Sequence, residues 1–298
     1  MRVDRPEDRT FARVVGIVAI PAAGGLGALV AGTEGAVVGA ALGLALAVGV
    51  ARFGARRNAR RRAVLAAPFP KAWRELLAAR YDHYDRLPDH WRRRFEDDLR
   101  ILLAETRITG VAVEVTDELR LLVAASAATL SLGWPDYEWS QLKEVLLYPE
   151  DFDRDYRLGG HDQAGETHPW GTIILSVPAL VESFAFPDDG FHVGLHEFAH
   201  LLDVDGESFD GIPRGLDAAR RREWVGVMEK EMARLRKGKS ALDPYGGSDP
   251  AEFLGVAVEA FFKIPLEVRR RHREVYALLS AYFGQDPAAW DDARGLVP

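Results

Sequence analysis

The stretch Phe191-His192-Val193-Gly194-Leu195-His196-Glu197-Phe198-Ala199-His200-Leu201-Leu202 decides the reading of this chain. His196 and His200 stand four residues apart with Glu197 directly after the first, the HExxH pattern. On a helix, residues four apart share a face, so both imidazoles can reach one metal ion while Glu197 stands beside the open position of that ion. Phe191, Leu195, Phe198, Ala199 and Leu202 recur at helical spacing over Asp189 to Leu202, and His192, His196 and His200 fall on the opposite stripe. An amphipathic helix whose histidines merely face solvent is the bland alternative, and it leaves Glu197 unexplained. His192 is expected to line a cleft or support a ligand, because a catalytic zinc takes three protein ligands and keeps its fourth position for water.

Two histidines leave one ligand to be found. Asp203 and Gly206 occupy the places where the three-histidine metzincin pattern has glycine and histidine, so that arrangement is excluded. The chain has no cysteine, which rules out thiolate sites and disulfides and leaves a carboxylate from another element. The candidates lie in DPAEFLGVAVEAFF, Asp249 to Phe262, where Asp249 suits a helix cap and Pro250 a first turn. Glu252 and Glu259 are seven apart and share a face; spacing leaves both open. Asp203-Val204-Asp205-Gly206-Glu207 hints at a calcium loop but lacks EF-hand spacing, so the expectation is a solvated turn with Asp203 supporting a metal ligand.

Upstream, Val14 to Thr33 and Gly35 to Ala51 carry no charge, and only Glu34 separates them. Each run approaches the ~20 residues that cross a bilayer core. Gly35, Gly39 and Gly43 repeat every four residues, a surface that admits a second helix closely. Arg2, Arg5, Arg9 and Arg13 precede the runs, and Arg52, Arg56, Arg57, Arg60, Arg61 and Arg62 follow them. By the positive-inside rule this predicts a transmembrane hairpin over 14–54 with both ends in the cytoplasm, between a tail at 1–13 and a basic linker at 55–67. A single span with a re-entrant piece and a soluble Gly/Ala-rich helix pair are the alternatives. A signal peptide is disfavoured by the long apolar region.

From Pro68 to the end, 68–298, the composition is that of a globular domain. Helical patterns cover Lys71 to Ala79, His90 to Thr106 and Asp117 to Leu132; strand-like runs cover Glu144 to Tyr148 and Thr172 to Val177. The last of these is expected as an edge strand beside the cleft, where an extended peptide could pair, or as an ordinary sheet strand. A formal net charge of -7 argues against direct nucleic-acid binding, and the 48% hydrophobic content supports a sizeable core. Acidic residues around HEFAH, including Asp188, Asp189, Asp203 and Asp205, disfavour an intramembrane protease.

HEFAH, LDPYGGSDPAEF, VEAFF and the late QDPAAW together resemble the Mlc titration factor A family of zinc-dependent peptidases, whose active site is related to that of the anthrax lethal factor protease. The likeness covers roughly residues 68–290. Its most specific piece is a tyrosine followed seven residues later by glutamate. The resemblance implies one zinc ion per chain held by His196, His200 and Glu252, with Glu197 as general base and Tyr245 as oxyanion donor; Glu259 then steadies a ligand imidazole or nearby backbone. Without it, Tyr245 reads as a turn tyrosine before Gly246-Gly247. The ligand set favours zinc while remaining compatible with manganese or cobalt. The implied fold is α+β, a gluzincin-like metallopeptidase domain that is mostly helical with a small sheet, here behind the hairpin. The expected function is an aminopeptidase-like peptidase acting on peptides or proteins, with its catalytic domain on the cytoplasmic side of a bacterial inner membrane. The resemblance carries a second reading, a protein that sequesters a transcriptional repressor and uses its zinc mainly for structure.

Overall fold

The computed structural model describes residues 6–158, 163–206 and 208–293. Arg2, Arg5 and Glu207, named above, lie outside the described residues. The chain divides into two compact units, Met1–Pro68 and Phe69–Pro298.

The first unit is helix α1, Pro6–Ala66, which includes most of the predicted tail and linker. It breaks at Ala31 (φ -140°, ψ 27°) and Gly32 (φ 59°, ψ -140°). A side chain other than hydrogen is strained at such a φ, so the glycine marks the break. Beyond it the second arm lies against the first: Gly35 meets Gly27, Gly39 meets the Ala23 carbonyl, and Gly43 meets that of Ala19. A Cβ at any of these three glycines would run into backbone, which explains their four-residue repeat. Ile17, Leu29, Val30, Val37 and Leu42 point outward and are exposed. From Arg13 to Ala66 this helix is long and apolar enough to cross a membrane.

The second unit is mostly helical with a small mixed sheet. It begins with α2 (Lys71–Arg80), α3 (Asp82–Arg86) and α4 (Asp89–Glu105), followed by β1 (Arg107–Gly110), α5 (Asp117–Ser131) and β2 (Glu144–Tyr148). Next come β3 (Gly165–Thr167), β4 (Thr172–Ser176), α6 (Val177–Ala185), α7 (Val193–Asp203) and the short hairpin β5 (Val204–Asp205) with β6 (Ser208–Phe209). The chain closes with α8 (Ala218–Leu235), α9 (Pro250–Lys263), α10 (Pro265–Arg271), α11 (Arg273–Phe283) and α12 (Pro287–Ala293).

The sheet order is β1-β2-β4-β3. The first two pairings are parallel, with Ile108 opposite Val145 and Leu146 opposite Ile174; β3 returns antiparallel, with Thr167 opposite Ile173. All five residues of β4 are buried, as expected of a strand covered on both faces. This overturns the edge reading of Thr172–Val177 and bears out the alternative of an ordinary sheet strand. The continuous apolar run belongs in the sheet interior, β3 takes the edge, and Val177 opens α6 behind the Ser176 cap. Helix α5 is buried from Leu121 through Ser131. Its hydroxyls cost little there, because Ser126, Thr129 and Ser131 each donate to the carbonyl four residues earlier. Helix α7 rests between α5 and α9, and its contact with α5 is close enough that a Cβ on Gly194 would collide with the Ser126 side chain.

Candidate metal centre

Helix α7 starts later than the sequence pattern suggested. His192 is its N-cap and is fully buried, with Nδ1 accepting the Leu195 N–H at 3.2 Å. It therefore leaves the stripe of His196 and His200, and its ring packs on Phe184 and Tyr81 rather than lining the cleft. A histidine that caps a helix must turn its ring back over the first turn, which is why helical spacing misplaced it.

Helix α9 begins as expected. Asp249 accepts the N–H groups of Ala251 and Glu252, and Pro250 fills the first turn. Its two glutamates bracket one imidazole. His196 Nδ1–H donates to Glu259 Oε1 at 2.6 Å, while Nε2 lies 2.9 Å from Glu252 Oε2. The second oxygen of Glu259 accepts the backbone N–H of His192, so one buried carboxylate ties both the cap and the ring of α7 to α9. The approach depends on Gly255, where a Cβ would strike the His196 ring. A glycine in mid-helix costs ~1 kcal/mol relative to alanine, and that was the signal in the sequence that something packs tightly there.

Ligand atoms of His196, His200 and Glu252 all lie within 4.8 Å of one another, a group that could hold a metal ion. With Nδ1–H committed to Glu259, the Nε2 lone pair of His196 would face a carboxylate oxygen; that contact calls for a proton or a cation between them. Burial opposes charge on His196, yet Glu259 and Glu252 hold its pKa well above the imidazole range. Glu252, despite its burial, is held below the usual range chiefly by the same histidine. His200 is pushed down to about 3 by burial and by His196, so it is neutral and able to ligate; its Nδ1 is buried and has no hydrogen-bond partner among the described residues. Two imidazoles and a carboxylate around such a cation-seeking gap suit zinc.

Glu197 is buried beside this group, and burial pushes its carboxyl up to about 7 against the pull of His196. Thr167 Oγ1 lies 2.8 Å from both its Oε2 and its main-chain carbonyl. Nothing in the sequence had marked Thr167, because only the pairing of β3 with β4 brings it there. Tyr245 sits in the short turn Pro244–Gly247, 56% exposed, with its ring centroid 6.1 Å from that of His196. Burial of part of the ring and the charge of Glu252 push its phenol upward, so the hydroxyl stays a neutral donor. Asp203 departs from expectation: it is fully buried, and its Oδ2 accepts the Gly211 N–H rather than holding a ligand imidazole. Burial raises its carboxyl to about 8.

The centre opens into a cleft of about 880 Å³, walled by β3 on one side and by α9 with the Tyr245 turn on another. Apolar surface comes from Phe191, Val193, Phe209, Val256 and Ile264. The cleft carries the carboxylates of Glu166, Asp189, Asp243 and Asp249 besides those at the centre, and among the described residues its lining has no lysine or arginine.

The chain is similar over 236 residues to the Synechocystis protein slr2042, at 28% identity, covering 74% of this chain and 86% of the relative. It is 30% identical over 206 residues to Mlc titration factor A of Edwardsiella ictaluri (63% of this chain, 74% of the relative). With Mlc titration factor A of Serratia proteamaculans it shares 32% identity over 199 residues (61% and 74%). A family profile described as glucose-regulated metallo-peptidase M90 matches residues 55–284, which takes in all of the centre, and the chain belongs to that family.

Proposed function

We propose that the chain is a zinc-dependent peptidase, aminopeptidase-like in its preference, tethered to a bacterial inner membrane with its catalytic domain in the cytoplasm. The observation that carries the reading is the convergence of His196, His200 and Glu252 from two helices beside the buried Glu197. One zinc ion held by those three side chains would supply Lewis acidity and lower the pKa of water towards about 7. Glu197 accepts the proton of that water as the oxygen attacks the peptide carbonyl, then hands it to the leaving amine. The neutral Tyr245 hydroxyl donates to the oxyanion as it develops. Glu259 keeps the His196 ring turned, with Nδ1 occupied and Nε2 free for the ion.

The two arms of α1, broken at Gly32 and packed through glycines, support a transmembrane hairpin. The arginines from Arg52 to Arg62 support a cytoplasmic exit.

Glu197→Gln tests the chemistry. Assayed with a peptide library and a chelator control, the variant keeps its zinc and loses hydrolysis by ~10²–10⁴-fold. Undiminished hydrolysis, or activity indifferent to chelation, would end the peptidase reading. The names of the Mlc titration factor A relatives favour a second reading, in which the chain sequesters a transcriptional regulator. That reading gains if Glu197→Gln leaves the cellular effect intact.

A further inference from the structure

We propose that strand β3 is the positioning element for the base: Thr167 anchors Oε2 of Glu197, and Gly165 leaves Oε1 as the oxygen that takes the proton from water. The inference rests on the peptidase reading and adds an atomic assignment to it.

Residues 165 and 167 share one face of β3, since side chains alternate along a strand. Both meet Glu197, in opposite ways. Thr167 has a single hydroxyl proton and two acceptors at 2.8 Å, the Oε2 and the main-chain oxygen of the same glutamate. This ties the end of the side chain to its own backbone and removes the freedom of the carboxylate to rotate. A Cβ at Gly165, by contrast, would press on Glu197 Oε1 at 2.6 Å, on its Cγ at 2.7 Å and on Val193. Glycine at 165 therefore preserves space for Oε1, which has no hydrogen-bond partner among the described residues; both Gly165 and Glu197 line the cleft.

The proton ledger is consistent with this division. Water gives one proton to Oε1 while its oxygen bonds to the carbonyl carbon; the C–N bond then breaks, and the same proton passes from Oε1 to the amine nitrogen. Oε2 accepts from Thr167 throughout, as a carboxylate oxygen first and as the carbonyl oxygen of the acid afterwards. The anchor thus holds in both protonation states and needs no rearrangement. Thr167 acts through the Glu197 carboxylate, so it is a positioning residue.

The experiment uses the full chain in detergent, zinc-loaded for kinetics and zinc-stripped for unfolding. Thr167→Val is expected to lower kcat ~10–100-fold, the range of one hydrogen bond to a charged group, with KM and zinc content unchanged. Thr167→Ser restores kcat to within a few-fold. Gly165→Ala also lowers kcat at full zinc content. In the stripped protein, Thr167→Val lowers Tm more when Glu197 is present than in a Glu197→Ala background, where only the bond to the main-chain carbonyl of residue 197 remains to be lost, a coupling that does not depend on activity. A wild-type kcat in Thr167→Val, or equal Tm shifts in the two backgrounds, would overturn the proposal. Wild-type hydrolysis by Glu197→Gln would instead strike the peptidase reading, and the two failures are told apart by which variant stays active.

Discussion

Two buried histidines of the second unit, His196 and His83, have opposite electrostatics. At the metal centre, His196 lies 2.6 Å from Glu259 and 2.9 Å from Glu252, and its proton affinity rises. In the small space behind the α7 cap, His83 and His192 pack among Tyr81, Phe184, Phe262 and Trp290. Neither ring nitrogen of His83 has a hydrogen-bond partner among the described residues. Burial and Arg86 push His83 down to about 3; burial, then Lys263, push His192 well below its ordinary value. Burial alone makes an imidazole neutral and inert. Two carboxylates at bonding distance reverse that and turn the same side chain into part of a cation site.

The comparison can be broken most directly at Glu252. Glu252→Ala leaves two imidazoles without their carboxylate, and stoichiometric zinc retention and hydrolysis should both disappear by metal analysis and peptide assay. If zinc stays, Glu252 does not hold it. Glu259→Gln should be milder, because the amide still accepts from His196 but carries no charge. Zinc affinity is expected to fall ~10–100-fold in a competition titration with a chelator. An unchanged affinity would reduce Glu259 to a helix tie.

Packing provides a smaller effect. Gly255→Ala places a methyl group against the His196 ring and should cost ~1–3 kcal/mol of stability, read as a lower Tm, together with weaker zinc binding. A neutral outcome would mean that α7 and α9 are free to separate.

The other histidine region is tested by acid. Above pH ~6.5, His83 is neutral whether the chain is folded or not; below it, the unfolded chain takes a proton that the native state refuses until about pH 3. Stability should therefore fall as pH drops through that window, by on the order of 1 kcal/mol per pH unit for this group. His83→Phe should flatten that part of the slope in denaturant titrations at a series of pH values. An unaltered slope would place the acid sensitivity elsewhere.

Local patterns made much of this fold legible. Residues Lys71 to Ala79, His90 to Thr106 and Asp117 to Leu132 correspond to α2, α4 and α5 within a residue or so, and Glu144 to Tyr148 is β2 as read. These segments are long or regular enough for hydrophobic period alone to define them. Strand β3 is neither: three residues, Gly165-Glu166-Thr167, show no alternation and become a strand only by pairing with β4. The same gap hid Thr167 and left open whether Thr172 to Val177 was the edge or an ordinary strand of the sheet. His192 left the predicted stripe for another reason, since a capping residue does not obey the period of the helix it caps.

By itself the sequence determined the chemistry on offer: two imidazoles one turn apart, a glutamate beside them, acids seven apart on a second helix, and a glycine-spaced apolar segment ahead of them. Those are short-range relations, set by 1.5 Å of rise and 3.6 residues per turn. Only the tertiary structure decided that Glu252 and Glu259 take opposite sides of one ring, that Asp203 turns away from the centre, and that an edge strand remote in sequence grips Glu197. Such choices depend on which surfaces meet when helices and strands pack, and no local spacing encodes them.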